Sequence, residues 1–443
     1  MFGAFAVIFI AGYGLTRWML KGAVRVSFIG LLGYSWLFGT GLVTGLLAVS
    51  GTGARGPLLV VVVSIASVVL GLAGLRQARG EAWPRFFPEG TKRWEIALTL
   101  LSLVPIAFLS AQTFREALHW DGLLVWEIKA RLAFQNGGAV PLTYFPEARL
   151  LWSHPAYPLY LPMLELWVYL WLGEMHQFLV KAIFPIFYLA TACVLWSAGW
   201  RLTGRVWLGS VAALLLFSIP RVVGAPGSVL QGYADFPLAA LYLAAFAALL
   251  QSVDGESCWV KVAAFASGLL PWVKQEGAVL WVCFAITAGW LWRRDRRTAL
   301  TLIAPGLVTL LAWRAFLSFA DVAPETTFQP LSIATLAANL ERLPPLLQRV
   351  GEELLRFRAW SLLWPLATAA LAFLVWQRQR TAIPLAFGIL APLALYLVPY
   401  VFTTIQPWEM HVETSLDRLI LQVVPLALLP LVLVLGEKEA TPP

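Results

Sequence analysis

Four charged residues stand where charge is costly, in or beside long apolar runs: Asp121 in "HWDGLL", Asp235 in "GYADFPLA", Lys274 in "PWVKQEG" and Arg418 in "SLDRLILQ". A carboxylate so placed can take a proton from a hydroxyl. Lys and Arg can hold a phosphate, Arg through a planar fork of donors. Trp120 and Tyr233 sit beside the two aspartates, and aromatic rings of this kind can stack on sugar rings. His154 in "WSHPAYP" and Glu276, two residues after Lys274, complete the set expected to line a substrate. A base, two cations and an aromatic wall suit a site for a lipid-linked phosphate and a polar acceptor.

Each of these residues also has a plainer reading. Asp121 could simply cap the helix that follows it. Asp235 precedes Phe236 and Pro237, and an acid just before a first-turn proline is a helix start signal. His154 could be an interfacial hinge. Lys274 and Glu276 could be a snorkelling pair. The group at 408–422, with His411, Glu413, Asp417 and Arg418, could anchor a helix at the interface. Chemistry is favoured because one topology delivers all of them to the same face.

That topology follows from composition. The chain has 443 residues, 60% hydrophobic and 13% charged, with mean hydropathy +0.76. Apolar runs of ~20 residues recur from end to end, each able to cross ~30 Å of hydrocarbon. The fold class is therefore all-α, a polytopic transmembrane helical bundle. The runs are continuous rather than alternating, which excludes a β-barrel. The net charge of +8 does not point to nucleic acid, because the basic residues sit in short clusters between apolar runs. Cys193, Cys258 and Cys283 lie in or next to apolar runs without metal spacing. The first run, 2–20, lacks a basic leader and is expected to be a retained helix.

Spans are expected near 2–19, 27–49, 57–75, 95–112, 177–199, 206–219, 236–253, 258–272, 277–292, 299–319, 359–377, 383–403 and 418–435, about thirteen in all. The clusters at 17–25, 76–93, 201–205, 293–297 and 377–380 should face the cytoplasm. This holds if 157–173, with Pro155, Pro158 and Pro162 at its start, is a bent re-entrant or surface-lying helix rather than a span. The outer face then receives loops 113–176, 220–235, 320–358 and 404–417, with the tight turn 274–277 beside them. The setting is a multi-pass protein of a plasma or inner membrane, with its site outside.

Two outer segments should be helical. After Asp121, Glu127, Arg131 and Gln135 form a polar stripe and Leu124, Ile128 and Leu132 an apolar one. An amphipathic helix along the interface is expected, anchored by Trp120 and Trp126, with Glu127, Lys129 and Arg131 as its solvated side. In 331–357, Leu336, Leu340, Leu343, Leu347, Val350 and Leu354 share a side, which suits a second interfacial helix.

The order of the motifs "WD", "HPAYPLYLP", "GYADFPLA", "PWVKQEG" and "SLDRLILQ" resembles the GT-C superfamily of integral-membrane glycosyltransferases, whose members include the protein mannosyltransferases and the aminoarabinose transferase of lipid A. The likeness covers about 95–300 and, more loosely, the late "SLDR". Three regions follow: N-terminal helices 1–94 outside the resemblance, a GT-C-like core 95–300, and C-terminal helices 301–443. The resemblance implies a polyprenyl-phosphate sugar donor and a glycan, lipid or protein acceptor. It implies Asp121 as catalytic base, Asp235 as the second acidic position, and Lys274 and Arg418 as holders of the donor phosphate.

The chain also departs from that pattern. Where many relatives carry "DE" or "DD", this chain has "DG", and Gly122 supplies no second carboxylate. No dense carboxylate cluster supports a divalent metal site. With no soluble domain expected after the helices, outer loops 113–176 and 320–358 should recognise the acceptor. Two other readings stay open. One is a ligase or polymerase of lipid-linked glycans leaning on His411 and Arg418. The other is a transporter or flippase, for which charges in mid-membrane would be the signature.

Overall fold

The computed structural model describes residues 1–23, 26–115, 117–224, 228–253 and 256–436. Positions 24–25 of the first basic cluster, 116 and 225–227 of the first two outer loops, and the tail 437–443 lie outside the described residues. Among the described residues the chain is helical throughout. Its only ladder-type pairs are two isolated bridges, Ser27 with Arg85 and Phe328 with Thr403.

The principal helices are α1 (Phe2–Met19), α2 (Phe28–Ser50), α3 (Gly56–Gln77), α4 (Arg93–Thr113), α5 (Ile128–Gln135), α6 (Tyr160–Leu172), α7 (Gln177–Thr203), α8 (Val206–Phe217) and α9 (Asp235–Val253). They continue with α10 (Cys258–Val273), α11 (Glu276–Leu291), α12 (Arg296–Phe319), α13 (Leu343–Leu354), α14 (Leu363–Trp376), α15 (Ala382–Phe402), α16 (Trp408–Leu421) and α17 (Val424–Gly436). Every stretch expected to span is a helix or a broken helix at that place.

Among the described residues eight helices are long and apolar enough to cross a membrane, namely α1, α2, α3, α4, α7, α9, α12 and α15. The pair α16/α17, bent by 53°, makes a ninth. By length and composition this is fewer than the count expected from sequence, because α8, α10, α11 and α14 are only 10–17 residues long. At 1.5 Å per residue such helices fall short of ~30 Å unless their flanking turns help.

Packing of the N-terminal helices rests on small residues. A Cβ added at Gly12 would collide with the Ser35 carbonyl of α2, and one at Gly14 with the Gly71 carbonyl of α3. Backbones this close gain dispersion contacts that apolar side chains in lipid cannot supply by burial alone. The centre of the bundle is α9, buried along its whole length from Asp235 to Ser252.

Charges sort to the helix ends. At one end the Arg17 guanidinium donates to the Ala82 carbonyl (3.3 Å), Lys261 sits over the Trp18 ring (5.5 Å), and Arg201 pairs with Glu256 (2.9 Å). Three expected basic clusters, 17–25, 76–93 and 201–205, thus gather at one end. Asp235 at the start of α9, Lys274 after α10 and Glu276 at the start of α11 mark the other.

Two expectations about surface elements are corrected. Helix α6 does not lie on a surface. It is enclosed from Tyr160 to Tyr169, against α2 and α5, with Glu165 completely buried. The polar stripe of the α5 region is solvated only toward its end, at Gln135 and partly at Arg131. Glu127 and Lys129 are fully buried, while Leu124, Ile128 and Leu132 are partly exposed. The Glu127–Arg131 pair forms as expected (2.9 Å), but it points inward. The reason is α6, which presents Glu165 and Tyr169: the Tyr169 hydroxyl donates to Glu127 at 2.5 Å, and a buried polar partner draws polar groups toward it.

The 331–357 segment is helical as expected. Leu336, Leu340 and Leu347 are exposed, while Leu343, Val350 and Leu354 pack against the core beside the fully buried Leu346. Arg342 fixes the segment by donating to the carbonyls of Val401 (3.3 Å) and Thr403 (3.2 Å).

Candidate functional site

Asp235 is the hub. It opens α9 with its side chain fully buried. Its Oδ1 accepts from Lys274 Nζ (2.8 Å) and Gln422 Nε2 (2.7 Å), and its Oδ2 from Arg418 Nε (3.2 Å) and Nη2 (3.1 Å). A buried carboxylate persists only when so fully paired. Arg418 and Gln422 are i and i+4 on α16 and its end, so one helix face reaches Asp235 twice. Gln422 is held in turn by the Tyr396 hydroxyl, which donates to its Oε1 (2.6 Å).

Arg418 carries the network to Asp121. Its Nη1 donates to Asp121 Oδ2 at 2.5 Å, and its guanidinium lies over the Tyr233 ring, 4.5 Å from the centroid. The Asp121 amide donates to the Tyr233 hydroxyl (3.4 Å). The Asp121 side chain is 25% exposed, against 13% for Arg418 and none for Asp235. Asp121 is therefore the carboxylate that a ligand can reach.

The Asp121 carboxylate makes no capping bond to the helix behind it. That helix begins as a π-helical turn, Gly122–Glu127, before becoming α5. Single π-turns of this kind recur at functional sites. Its N-terminus is pressed against the chain before α9. The His119 amide donates to the Gln231 carbonyl (3.2 Å), and a Cβ on Gly122 would stand 2.6 Å from that same oxygen. The "DG" departure thus has a steric cause, since no side chain fits at position 122 beside Gln231.

The remaining expected residues divide. Lys274 Nζ lies between Asp235 and Glu276 Oε1 (2.9 Å), with its side chain only 3% exposed. It does not present a free cation for a phosphate. It compensates two carboxylates. Glu276 belongs to the network through Lys274. Trp120 is 76% exposed beside Asp121 and touches no other site residue through a ring contact. His154 takes a left-handed backbone conformation (φ 50°), stacks on Tyr157 (4.6 Å) and faces Glu325 with Nδ1 3.6 Å from Oε1. Tyr157 is in electrostatic range of Asp121, Glu276, Glu325 and Arg418, so this patch adjoins the network.

Several contributors were not found from sequence. Gln422 was quoted within "SLDRLILQ", and its i+4 spacing from Arg418 was the available signal. Arg221, in the short helix Pro220–Gly224, pairs with Asp417 beside Arg418. Lys129 lies behind the Asp121 helix, with Nζ donating to the carbonyls of Val125 and Ser153, both at 2.9 Å. Among the described residues no three His, Cys, Asp or Glu side chains are placed to hold a metal ion. A cavity of about 370 Å³ lined by Lys92, Trp94, Trp200, Arg205 and Trp207 lies at the basic end, away from this network. The network is the better candidate, because it joins a reachable carboxylate to two largely buried cations and a fully buried second carboxylate.

No family model, no curated protein and no solved structure matches this chain.

Proposed function

We propose that this protein is a GT-C-like membrane glycosyltransferase, moving a sugar from a polyprenyl-phosphate donor to a hydroxyl-bearing acceptor on the outer face. The observation that carries the reading is the Asp121–Arg418–Asp235 chain. A reachable carboxylate shares a guanidinium with a buried one, at the helix ends opposite the basic clusters. Adding α8, α10, α11 and α14 to the longer helices gives the thirteen spans read from the sequence, with α6 enclosed between them.

The chemistry follows from who holds whom. Arg418 is anchored to Asp235 by Nε and Nη2, and only its Nη1 arm serves Asp121. Lys274 and Arg418 face three carboxylates, Asp121, Asp235 and Glu276. An arriving donor phosphate competes with Asp121 for Nη1, and winning it frees Asp121 to accept a proton. The acceptor oxygen then attacks the anomeric carbon while the bond from that carbon to the phosphate oxygen breaks. The hydroxyl proton goes to Asp121 and the electron pair leaves with the polyprenyl phosphate, inverting the centre. In-line displacement of this kind depends on positioning and charge stabilisation. The same coupling favours donor binding before the acceptor becomes reactive.

The test is turnover of polyprenyl-phosphate sugars by purified protein with candidate acceptors. Asp121→Asn should lower kcat by about 10²–10⁴-fold, the usual range for a lost general base. Full turnover in that variant would remove Asp121 as the base. Transport of an unaltered lipid-linked sugar, without transfer, would favour the flippase reading.

A further inference from the structure

The buried group that the proposed chemistry leaves unused is Lys129. It has no exposed surface, although its neighbours in sequence suggested a solvated face. Its Nζ makes two equal hydrogen bonds of 2.9 Å. One goes to the Val125 carbonyl, inside the π-helical turn that Asp121 precedes. The other goes to the Ser153 carbonyl, immediately before His154 and its left-handed backbone. The same nitrogen lies 5.5 Å from the Trp126 ring centroid and 5.7 Å from that of Tyr157, and those rings face each other at 5.5 Å. The Ser153 hydroxyl bonds to the Tyr144 hydroxyl (2.8 Å), which ties the far side of the contact to loop 142–153.

One side chain thus joins two segments that no regular ladder connects. A π-turn leaves irregular carbonyls, and so does the end of the 3₁₀ turn Ala148–Ser153. A single donor that bonds both of these carbonyls fixes their separation. We propose that Lys129 is the positioning residue of the site, holding the Asp121 turn and the His154 hinge in register. Across the helix contact lies Glu165, buried with no hydrogen-bond partner for either carboxylate oxygen and in electrostatic range of Lys129, while burial and the nearby Glu127 push its own pKa up. The consequence for turnover rests on the glycosyl-transfer reading. The consequence for backbone order rests on the contacts alone.

Hydrogen–deuterium exchange of the full-length protein in detergent separates the two. Lys129→Met with Glu165→Gln removes both buried ionisable groups together, so that neither is left to ionise without the other. Exchange should quicken about tenfold or more in both 118–128 and 150–157, while peptides of 235–253 exchange as in the wild type. Unchanged exchange in either segment, or loosening of the whole bundle, overturns the positioning role. In the turnover assay the same variant should lose about 100-fold in kcat, the scale of a misplacement near 1 Å, with donor KM within about twofold of wild type. A rise in donor KM at unchanged kcat would also overturn it. A wild type inactive with every polyprenyl-phosphate sugar would sink the transferase reading and leave the exchange result to decide Lys129.

Discussion

Arg418 stands between two aspartates of different standing: Nη1 donates to the partly exposed Asp121 at 2.5 Å, while Nε and Nη2 hold the fully buried Asp235. Lys274 shows that an ammonium can serve two carboxylates that close in around one point, but these two lie on separate arms of the guanidinium. A lysine ammonium is a point charge on a flexible stem, and it lacks the fork that serves two acceptors at fixed angles. Arg418→Lys should stay paired with Asp235, the buried partner, and abandon Asp121. The expected result is a donor kcat/KM about 10²-fold lower with a small change in unfolding temperature. Wild-type kinetics in this variant would show that the Asp121 contact is incidental.

Asp235 and Lys274 form a buried pair whose members cannot be removed one at a time. Asp235→Asn leaves Arg418 and Lys274 with one less anion. Lys274→Met leaves Asp235 and Glu276 with one less cation. Breaking a buried pair from one side costs about 3–5 kcal/mol, whereas replacing both partners is often close to neutral. Each single variant should therefore unfold markedly earlier, and the double variant should recover most of the loss. Thermal unfolding in detergent measures the cycle, and additive losses would mean that the two side chains act independently.

Lys129 titrates where experiments are easy. Burial pulls its pKa down from 10.5 to about 7, against the opposing pull of Glu325, Glu165 and Asp121. Between pH 7 and 10.5 the unfolded chain then holds a proton that the folded chain has released. Stability accordingly rises with pH through this window. The neutral amine keeps two N–H donors, enough for Val125 and Ser153, so the contact survives deprotonation. Wild-type protein should gain unfolding temperature from pH 7 to 9 relative to a Lys129→Met variant, in which Glu165 is retained and its own titration cancels. A flat difference across that range would place the folded pKa elsewhere.

How much of this was legible in the sequence depends on distance. The helices were, because an apolar run of sufficient length has few other uses, and each expected span is a helix or a broken helix. Asp121, Asp235 and Arg418 were legible because isolated charge at helix ends is costly and therefore conspicuous. The role of Lys274 was not, since its partner Asp235 lies on a different helix 39 residues away. Nor was the burial of Glu127 and Lys129. Glu127 is held by Tyr169 of α6, whose three leading prolines suggest a surface element, and Lys129 by backbone carbonyls of two irregular turns, neither of which periodicity reveals. The π-turn also escaped, because i to i+5 pairing leaves no distinct mark on helical periodicity.

Gly122 offers the sharpest test of how closely Asp121 is held. The residue after Asp121 packs on the backbone before α9, and a Cβ there would lie 2.6 Å from the Gln231 carbonyl and 3.2 Å from that of Gly232. Both opposing atoms are backbone, and Gly232 itself takes a positive φ of 83° that resists adjustment. Gly122→Ala must therefore push the Asp121 turn away from residues 231–232. That motion stretches the short contact to Arg418 and the Asp121 amide bond to Tyr233. The expected stability loss is about 1–3 kcal/mol, as for overpacking generally, with a larger relative loss of turnover because the reacting carboxylate itself moves. Gly122→Glu, which would recreate the paired acids of the family that this chain resembles, should be worse on both counts rather than a gain. If Gly122→Glu proved as stable and as active as the wild type, the close approach of the Asp121 turn to residues 231–232 could not be a feature of the working protein.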